Sequence, residues 1–406
     1  MTLKSADVCL HGVSIGRLKI DANHSTFDFN QTYIDAPDRN VLGLAFEDDL
    51  FASHASNLLL PPWFSNLLPE GNLRKLIAQD RGVSAKREFE LLLHVGRDLP
   101  GAVTVVPAKG EPPTPTPKRT RQFDQLSSDA KPWTFSLAGV ALKFSMIRAS
   151  DQFTIPGRDE KGGDWIIKLP DLKYPCVPEN EFSIMHLASL VGIDVPEIEL
   201  VHRDRIQDVP SNFWPNGTNQ AYAVRRFDRA DDRNPIHIED FAQIHSKWPD
   251  DKYRSDFNTV ANFCYRRRDE YSLLEFVRRL TLNVLVGNGD AHLKNWSMIY
   301  ADRKTPSLSP AYDLVSTTDY ISREDLGMKW FGKKRFVSFE LASFSRLAAT
   351  LGANPSVLED CARETVARVV RGWPLIVDRQ ILPPELVLSI GQHIRDQSNR
   401  LLSRTS

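Results

Sequence analysis

Apolar and polar positions follow a strand-like alternation at the start of the chain. Val8 to Ile20 holds short apolar segments on either side of His11-Gly12, a pattern that predicts a β-hairpin. Phe27, Phe29 and Tyr33 continue the alternation with a period of two. The chain therefore begins with antiparallel strands.

A helical pattern follows from Leu58. Ser84 is the expected N-cap of a second helix. That helix has its apolar face at i, i+3, i+4 and i+7 spacing, in Phe89, Leu92, Leu93 and Gly96. A strand from Gly101 to Val106 closes the unit. Together these elements predict a small α+β domain over residues 1–106.

A proline-rich stretch separates this domain from the rest. Pro107 to Thr120 reads P-A-K-G-E-P-P-T-P-T-P-K-R-T, which is too rich in proline for a helix or a central strand. We predict an extended linker over residues 107–131. The first domain has no candidate catalytic group of its own, so we expect it to be an interaction platform.

The next region predicts a second small sheet with one helix. Thr134 to Met146 is typical of strand, tight turn at Ala138-Gly139, and strand. Asp164 to Leu169 is a further strand, and Glu181 is expected to open a helix that ends at Gly192. Strands at residues 195–201 and 221–229 complete a lobe over residues 132–227.

Helical patterns dominate residues 228–406. Leu273, Phe276, Val277, Leu280 and Val284 form one apolar stripe. Two later helices are expected. The first is capped by Asn354 and has an inward face of Val357, Cys361, Val366 and Val369 or Val370, and the second spans Glu385 to Leu402.

Composition narrows the possible functions. The chain has 406 residues, a formal net charge of −1 and four widely spaced cysteines. It therefore has no global positive charge for nucleic acid or membrane binding, no zinc-ligand spacing and no disulfide framework. We find neither a secretory signal nor an apolar run long enough to span a bilayer, so we expect a cytoplasmic protein.

The candidate chemistry is concentrated in one stretch of the helical region. Asp290 and Asn295 have D-x-x-x-x-N spacing, with His292 and Lys294 between them, and Asp313 follows. Phosphoryl transfer needs a carboxylate to orient the attacking hydroxyl, and an amide oxygen and a second carboxylate to hold magnesium. The pattern therefore favours a phosphotransferase. The alternative is a turn rich in Gly, Asn and Asp between a helix and a strand.

A lysine in the second sheet supports this interpretation. Lys168 lies on a strand and is followed by Glu181 on the next helix, the order of the ion pair that positions nucleotide phosphates in kinases. The alternative is a lysine that extends to solvent. The turn at Ala138-Gly139 could approach phosphate oxygens, but it lacks a Walker motif, and a plain hairpin is the alternative there.

Eight motifs along nearly the whole chain resemble the HipA-like serine/threonine kinases, toxins of bacterial toxin–antitoxin pairs. In the first domain they are N-L-L-P-E-G at Asn66–Gly71 and G-R-D-L-P-G-A-V at Gly96–Val103. The others are S-L-A-G-V-A-L-K at Ser136–Lys143, I-I-K-L-P at Ile166–Pro170, E-N-E-F at Glu179–Phe182, R-R-F-D-R at Arg225–Arg229, G-N-G-D-A-H-L-K-N at Gly287–Asn295 and P-A-Y-D-L at Pro310–Leu314. The resemblance implies a bilobal, protein-kinase-like α+β fold with an additional N-terminal domain.

The resemblance also implies roles for single residues in binding ATP and Mg²⁺. Asp290 would be the catalytic base, and Asn295 and Asp313 the magnesium ligands. The nucleotide-binding set would be a phosphate loop of Ala138, Gly139, Val140, Ala141, Leu142 and Lys143, the phosphate-binding Lys168, a hinge of Arg225, Arg226 and Phe227, and His292, Lys294, Asn295, Tyr312 and Asp313. Ala141-Leu142 and Arg225 differ from the Gln-Glu and Glu of better-known members. Ser136 matches a serine at which members of the family autophosphorylate.

The partners implied by the resemblance are macromolecules. They are a helix-turn-helix antitoxin, operator DNA bound through the antitoxin complex, and a protein substrate, plausibly an aminoacyl-tRNA synthetase. Two other functions fit the same residues. One is a small-molecule phosphotransferase of the aminoglycoside or choline type, and the other is an inactive kinase fold that serves as a co-repressor subunit.

Overall fold

A computed structural model describes residues 4–109, 142–157, 162–320 and 325–403. The first unit is a five-stranded antiparallel sheet in the order β4-β3-β2-β1-β5. Its strands are β1 (Lys4–Leu10), β2 (Val13–Asp21), β3 (His24–Phe29), β4 (His54–Asn57) and β5 (Val103–Pro107). Its helices are α1 (Gln31–Ile34), α2 (Pro62–Ser65), α3 (Gly71–Arg81) and α4 (Glu88–Val95). The predicted hairpin and closing strand are confirmed.

The predicted cap of α4 is wrong. The helix begins at Glu88, and Arg87 takes the N-cap position without a side-chain hydrogen bond to the helix. Ser84 lies further upstream, where its Oγ accepts a hydrogen bond from the backbone N–H of Lys86. The hydroxyl therefore stabilises the turn before the helix instead of the first helical turn.

The second sheet has the strand order β7-β6-β8-β10-β9 and carries one helix. Its strands are β6 (Lys143–Ala149), β7 (Gln152–Thr154), β8 (Trp165–Lys168), β9 (Ile198–His202) and β10 (Gln220–Arg225), and the helix is α5 (Val177–Leu190). The predicted start of α5 at Glu181 is wrong, because the helix begins at Val177 with Pro178 in its first turn. Glu181 is buried on the helix instead of opening it.

The third unit is mainly helical. Its helices are α6 (Phe241–Ile244), α7 (Phe257–Tyr265), α8 (Glu270–Leu285), α9 (Ser343–Leu351), α10 (Pro355–Val377) and α11 (Pro384–Ser403). Its strands are β11 (His237–Asp240), β12 (Ser297–Tyr300), β13 (Ser307–Leu308), β14 (Asp325–Trp330) and β15 (Lys333–Arg335). The predicted stripe of α8 is buried throughout.

On α10 the predicted cap is confirmed, since the Asn354 side chain accepts from the backbone N–H of Ser356. Val369 is buried there, but Val357 and Val370 are exposed, so the prediction of an inward Val357 is wrong. Leu358, the next residue of the same turn, is buried instead, so the inward face of the helix begins one position later. In the described part of the chain no helix is long and apolar enough to cross a membrane.

Apolar packing joins the first unit to the second. One hydrophobic cluster contains Leu18, Phe64 and Leu92 of the first unit together with Phe144 and Trp165 of the second sheet. A second cluster fills the helical unit and includes α5. The first domain is therefore packed onto the small lobe through a shared core.

A buried ion-pair network reinforces this junction. Arg226, just after β10, donates to Asp98 of the first unit at 2.9 Å and to both oxygens of Asp228 at 2.9 Å. Arg229 bonds to the same two carboxylates. Two of the motifs noted in the sequence, G-R-D-L-P-G-A-V and R-R-F-D-R, thus meet at the interface between the units.

Candidate active site

The loop that carries Asp290 is held in one conformation by the backbone of Gly287 and the side chain of Asn288. Gly287, after the end of α8, has φ of +68°, and a Cβ there would lie 2.4 Å from Thr318 Cγ2. The Asn288 side chain donates to Asn283 of α8 and accepts from the backbone N–H of Asp290 at 3.0 Å. The loop then ends in a single 3₁₀ turn, Leu293–Asn295.

The segment that carries Asp313 is tied to this loop and to α5. Thr317 donates to the carbonyl of Gly287 and accepts from the backbone N–H of Gly289 at 2.8 Å. Asn180, the central residue of the E-N-E-F motif, exchanges two hydrogen bonds with the backbone of Ser316. These bonds explain how residues distant in sequence are brought to one site.

Lys168 is the electrostatic centre of the site. Its Nζ lies 2.5 Å from Glu181 Oε1 and also contacts Asp313 Oδ1. Burial alone would lower the pKa of Lys168, but the charges of Asp313 and Glu181 outweigh burial and raise this pKa above its ordinary value. The charge of Lys168 in turn holds the pKa of Asp313 below its ordinary value, against the effect of burial. The predicted Lys–Glu ion pair is thus formed, with Asp313 on the same ammonium group.

Asn295 and Asp313 lie next to each other, with the amide nitrogen of Asn295 turned towards the carboxylate. Asn295 Nδ2 donates to Asp313 Oδ2 at 3.2 Å, while Asn295 Oδ1 accepts from the backbone N–H of His292 at 3.0 Å. Carboxylate and amide oxygens are hard ligands of the kind that Mg²⁺ prefers, and Mg²⁺ commonly takes few protein ligands besides phosphates and water. The donor set therefore fits magnesium. Among the described residues, no group of three or more His, Cys, Asp or Glu side chains is placed to hold a metal ion.

Asp290 faces the same site from the other end of the loop. The hydroxyl of Tyr253 donates to its Oδ1. Burial raises the pKa of Asp290, and the hydrogen bond from Tyr253 works in the opposite direction. The hydrogen bond therefore holds one oxygen of the Asp290 carboxylate in place.

Lys143 adds a second buried amine. It is paired in register with Lys168 across β6 and β8, so both side chains lie on the same face of the sheet. Burial lowers the pKa of Lys143 to about 8, with the nearby charge of Asp313 acting against this shift. Two buried lysines on one face of the sheet concentrate positive charge, which favours the binding of an anion.

Other predicted residues lie around the loop with different partners. The Phe227 and Tyr312 rings pack with centroids 5.5 Å apart, and Tyr312 donates to the carbonyl of Lys294 at 3.0 Å. His292 is buried, and burial lowers its pKa to about 3, so its ring is neutral. Arg225 pairs at the surface with Asp231.

Two predicted nucleotide contacts have side chains committed elsewhere. Arg226 is enclosed in the network with Asp98 and Asp228 described above. Lys294 points to the first domain, where it contacts Asn66 and Glu70. The predicted Ala138, Gly139, Val140 and Ala141 of the phosphate loop, and Ser136, lie outside the described residues. Leu142 immediately precedes β6, and its carbonyl accepts from the backbone N–H of Leu169 at 3.0 Å.

Sequence reasoning missed Tyr253, Lys252 and Glu70 as parts of the site. Glu70 belongs to the N-L-L-P-E-G motif, which indicated family membership without indicating a place beside the catalytic loop. Tyr253 and Lys252 lie in a polar turn after W-P-D-D, and no pattern there distinguishes them from surface residues. Only the folded arrangement brings these three to Asp290 and Lys294.

The chain has a small β-rich lobe and a helical lobe, and Lys168, Asp290, Asn295 and Asp313 come together from both lobes. These features define a bilobal, protein-kinase-like fold with an added N-terminal domain. Residues 135–373 match the family model of the HipA-like C-terminal domain, and residues 6–106 match that of the HipA N-terminal domain. The chain belongs to the HipA-like family.

Relatives and one solved structure agree with this assignment. The chain is 41% identical over 379 residues to the putative kinase Y4dM of Sinorhizobium fredii, with 90% of each chain covered. It is 27% identical over 387 residues to the serine/threonine-protein kinase toxin HipA of Shewanella oneidensis, covering 84% of this chain and 83% of the relative. A solved complex of Shewanella oneidensis HipA, HipB and operator DNA has a chain of the same fold, with a TM-score of 0.74 at 22% identity, covering 98% of this chain and 97% of that one.

Proposed function

We propose that this protein is a Mg²⁺- and ATP-dependent serine/threonine protein kinase and the toxin of a HipA-type module. The observation that carries the proposal is the convergence of four groups with distinct chemical duties. Lys168 is held by Glu181 and Asp313, Asn295 lies beside Asp313, and Asp290 is fixed separately on the same loop. A turn that only connects a helix to a strand has no need of this arrangement.

Each residue has a definite task in the proposed reaction. Lys168 and Lys143 bind the phosphates of ATP, and Asn295 and Asp313 hold the magnesium ion. The ion, when bound, neutralises charge that develops on the transferred phosphoryl group. Asp290 accepts a hydrogen bond from the acceptor hydroxyl and orients that oxygen towards the γ-phosphorus. The hydroxyl proton passes to Asp290 as the oxygen–phosphorus bond forms, and ADP leaves.

The partners follow from relatives. The solved structure of the same fold contains HipB and operator DNA, and this supports a helix-turn-helix antitoxin and, through it, operator DNA as partners of this chain. We propose a protein substrate, with an aminoacyl-tRNA synthetase as the candidate, and self-modification of Ser136. A phosphate there would add about 1.5 to 2 negative charges beside the phosphate loop and so weaken ATP binding.

Labelled ATP tests the substrate class and activity together. Purified protein with Mg²⁺ and ATP labelled on the γ-phosphate should transfer label to protein in a cell extract, and mass spectrometry should locate phosphate on Ser136 in the wild type but not in Asp290→Asn. Label on a soluble alcohol, with none on protein, would support the small-molecule phosphotransferase instead. Absence of any transfer, with the antitoxin complex still binding DNA, would support the inactive co-repressor subunit.

A further inference from the structure

Glu70, at the start of α3 in the first domain, lies between two lysines of the kinase body. Its Oε2 is 2.9 Å from Lys252 Nζ, and its Oε1 is 3.1 Å from Lys294 Nζ. The side chains of Glu70, Lys252 and Lys294 are 12%, 11% and 4% exposed. A carboxylate shielded from water in this way interacts more strongly with its partners than a surface ion pair does.

Both lysines belong to the structure that positions Asp290. Lys294 is part of the catalytic loop itself, between His292 and Asn295. The carbonyl of Lys252 accepts a hydrogen bond from the backbone N–H of Leu293 at 3.1 Å. The next residue, Tyr253, donates to Asp290. A displacement of Lys252 would therefore act on the loop at Leu293 and, through Tyr253, at Asp290. A displacement of Lys294 would move the loop directly.

The first domain supplies most of the other polar contacts to Lys294. Its Nζ donates to the carbonyl of Asn66 at 2.8 Å and to Asn66 Oδ1 at 3.0 Å. In the body, Asp240 Oδ2 lies further away, at 3.6 Å. The Asn66 side chain also donates to the carbonyl of Lys247, which fixes the donor and acceptor geometry of this residue. Among the described residues, the near partners of the Lys294 ammonium group thus come from the N-L-L-P-E-G motif.

The ionisation of Glu70 agrees with this geometry. Burial would raise its pKa, but the charges of Lys294 and Lys252 prevail and lower it to about 2. The carboxylate is therefore charged under all ordinary conditions. A neutral isostere would leave two buried ammonium groups close together without their shared counter-ion.

We propose that Glu70 is a positioning residue for the catalytic loop, so that the first domain completes the active site of the kinase body. This goes beyond a role of that domain in binding partners, and it rests on the proposed function. Glu70 acts through Lys294 and Lys252, and it does not touch the reacting atoms. The first domain, which shares a hydrophobic core with the small lobe, would in this way also fix the position of the catalytic loop in the helical lobe.

Glu70→Gln keeps the size of the side chain and removes its charge. We expect kcat for phosphoryl transfer to fall by about 10- to 100-fold, the range for a catalytic group displaced by about an ångström. The Kd for ATP measured without Mg²⁺ should change by less than about twofold, because Lys168 and Lys143, assigned to the phosphates, lie on the sheet of the small lobe and not on the displaced loop. Lys294→Met should lower kcat as well, and the double variant should be no slower than the slower single variant, since both act through one contact.

Glu88→Gln is the matched control. Glu88 is a buried carboxylate of the same domain, and its side chain bonds to Leu60, Ser65 and Arg74, which all belong to that domain. This variant should lower the melting temperature with kcat nearly unchanged. Equal losses of kcat in Glu70→Gln and Glu88→Gln, or a normal kcat in Glu70→Gln, would overturn the proposal.

A second measurement does not depend on kinase activity. Hydrogen exchange at the backbone amides of Leu293 and Asn295 should be faster in Glu70→Gln than in the wild type, and unchanged in Glu88→Gln. Unchanged exchange in Glu70→Gln would overturn the proposal even if the protein transferred no phosphate. A wild type without activity whose loop exchange still responds to Glu70→Gln would refute the proposed function alone.

Discussion

Replacing Arg226 by methionine should sharply weaken the junction between the first domain and the small lobe. The guanidinium group is fully buried and donates to Asp98, to both oxygens of Asp228, and to the carbonyl of Leu99 at 3.1 Å. Arg226→Met keeps much of the apolar volume but leaves two buried carboxylates to share Arg229. Loss of one partner of a buried ion pair destabilises a protein by about 3 to 5 kcal/mol. At roughly 2 to 4 °C per kcal/mol for a domain of 150 to 250 residues, the melting temperature should fall by about 6 to 20 °C.

The adjacent arginine provides a matched control for this stability measurement. Arg225 pairs with Asp231, whose side chain is 97% exposed, and a surface pair contributes at most about 1 kcal/mol. Arg225→Met should therefore leave the melting temperature within about 4 °C of the wild type. Thermal unfolding followed by circular dichroism at pH 7 makes the comparison. Similar melting temperatures for the two variants would refute the assignment of Arg226 to a buried junction.

The pH dependence of the difference in stability between the wild type and Arg226→Met offers a further check. Arg226 and Arg229 overcome the effect of burial and hold the pKa values of Asp98 and Asp228 below their ordinary range. Stability from these carboxylates is present above the pKa of an unfolded aspartate, about 3.9, and is lost as the pH falls through the lower folded-state pKa. The gap between wild type and Arg226→Met should therefore narrow below about pH 4.

Three further predictions concern the active site. Tyr253→Phe removes a hydrogen bond that lowers the pKa of Asp290, so the acidic limb of the pH profile of kcat/KM should move to higher pH; an unmoved limb would argue against Asp290 as the titrating base. Since the pKa of Lys143 is about 8, the ATP affinity of the wild type, measured by calorimetry, should decline above pH 8. The affinity of Lys143→Arg should stay level over the same range. Equal declines in the two proteins would exclude Lys143 as a phosphate contact. Asp313→Ala should abolish the Mg²⁺-dependent part of ATP binding because it removes a metal carboxylate, whereas equal ATP affinity of the wild type with and without Mg²⁺ would contradict that role.

Local signals in the sequence predicted local structure well. The stripe of α8 and the cap at Asn354 depend on residues within a turn or two of one another, and both are present as expected. The sequence pattern places the start of α5 at the charged Glu181. In the structure Pro178 already lies in the first turn, so the helix begins earlier. Glu181 is instead needed inside the helix, where it reaches Lys168.

Contacts between distant segments could not be predicted from spacing. Arg226 was expected beside the nucleotide, yet its charge is taken up by Asp98, far earlier in the chain. Lys294 lies within the catalytic loop, but its partners are Asn66 and Glu70 of another domain. Composition and periodicity report which side chains will be buried, and they do not report which charges will meet there. The motifs shared with the family marked these positions without giving their pairing.

Asp290→Asn is the most direct test of the proposed kinase. The variant keeps the size of the side chain and the groups assigned to phosphate and metal binding, so its Kd for Mg-ATP should stay within about twofold of the wild type. Phosphoryl transfer measured on the same preparation should fall by about two to four orders of magnitude, the contribution of a positioned base. Transfer at the wild-type rate in Asp290→Asn would contradict the account, because the residue assigned as the base would then have no part in the chemistry.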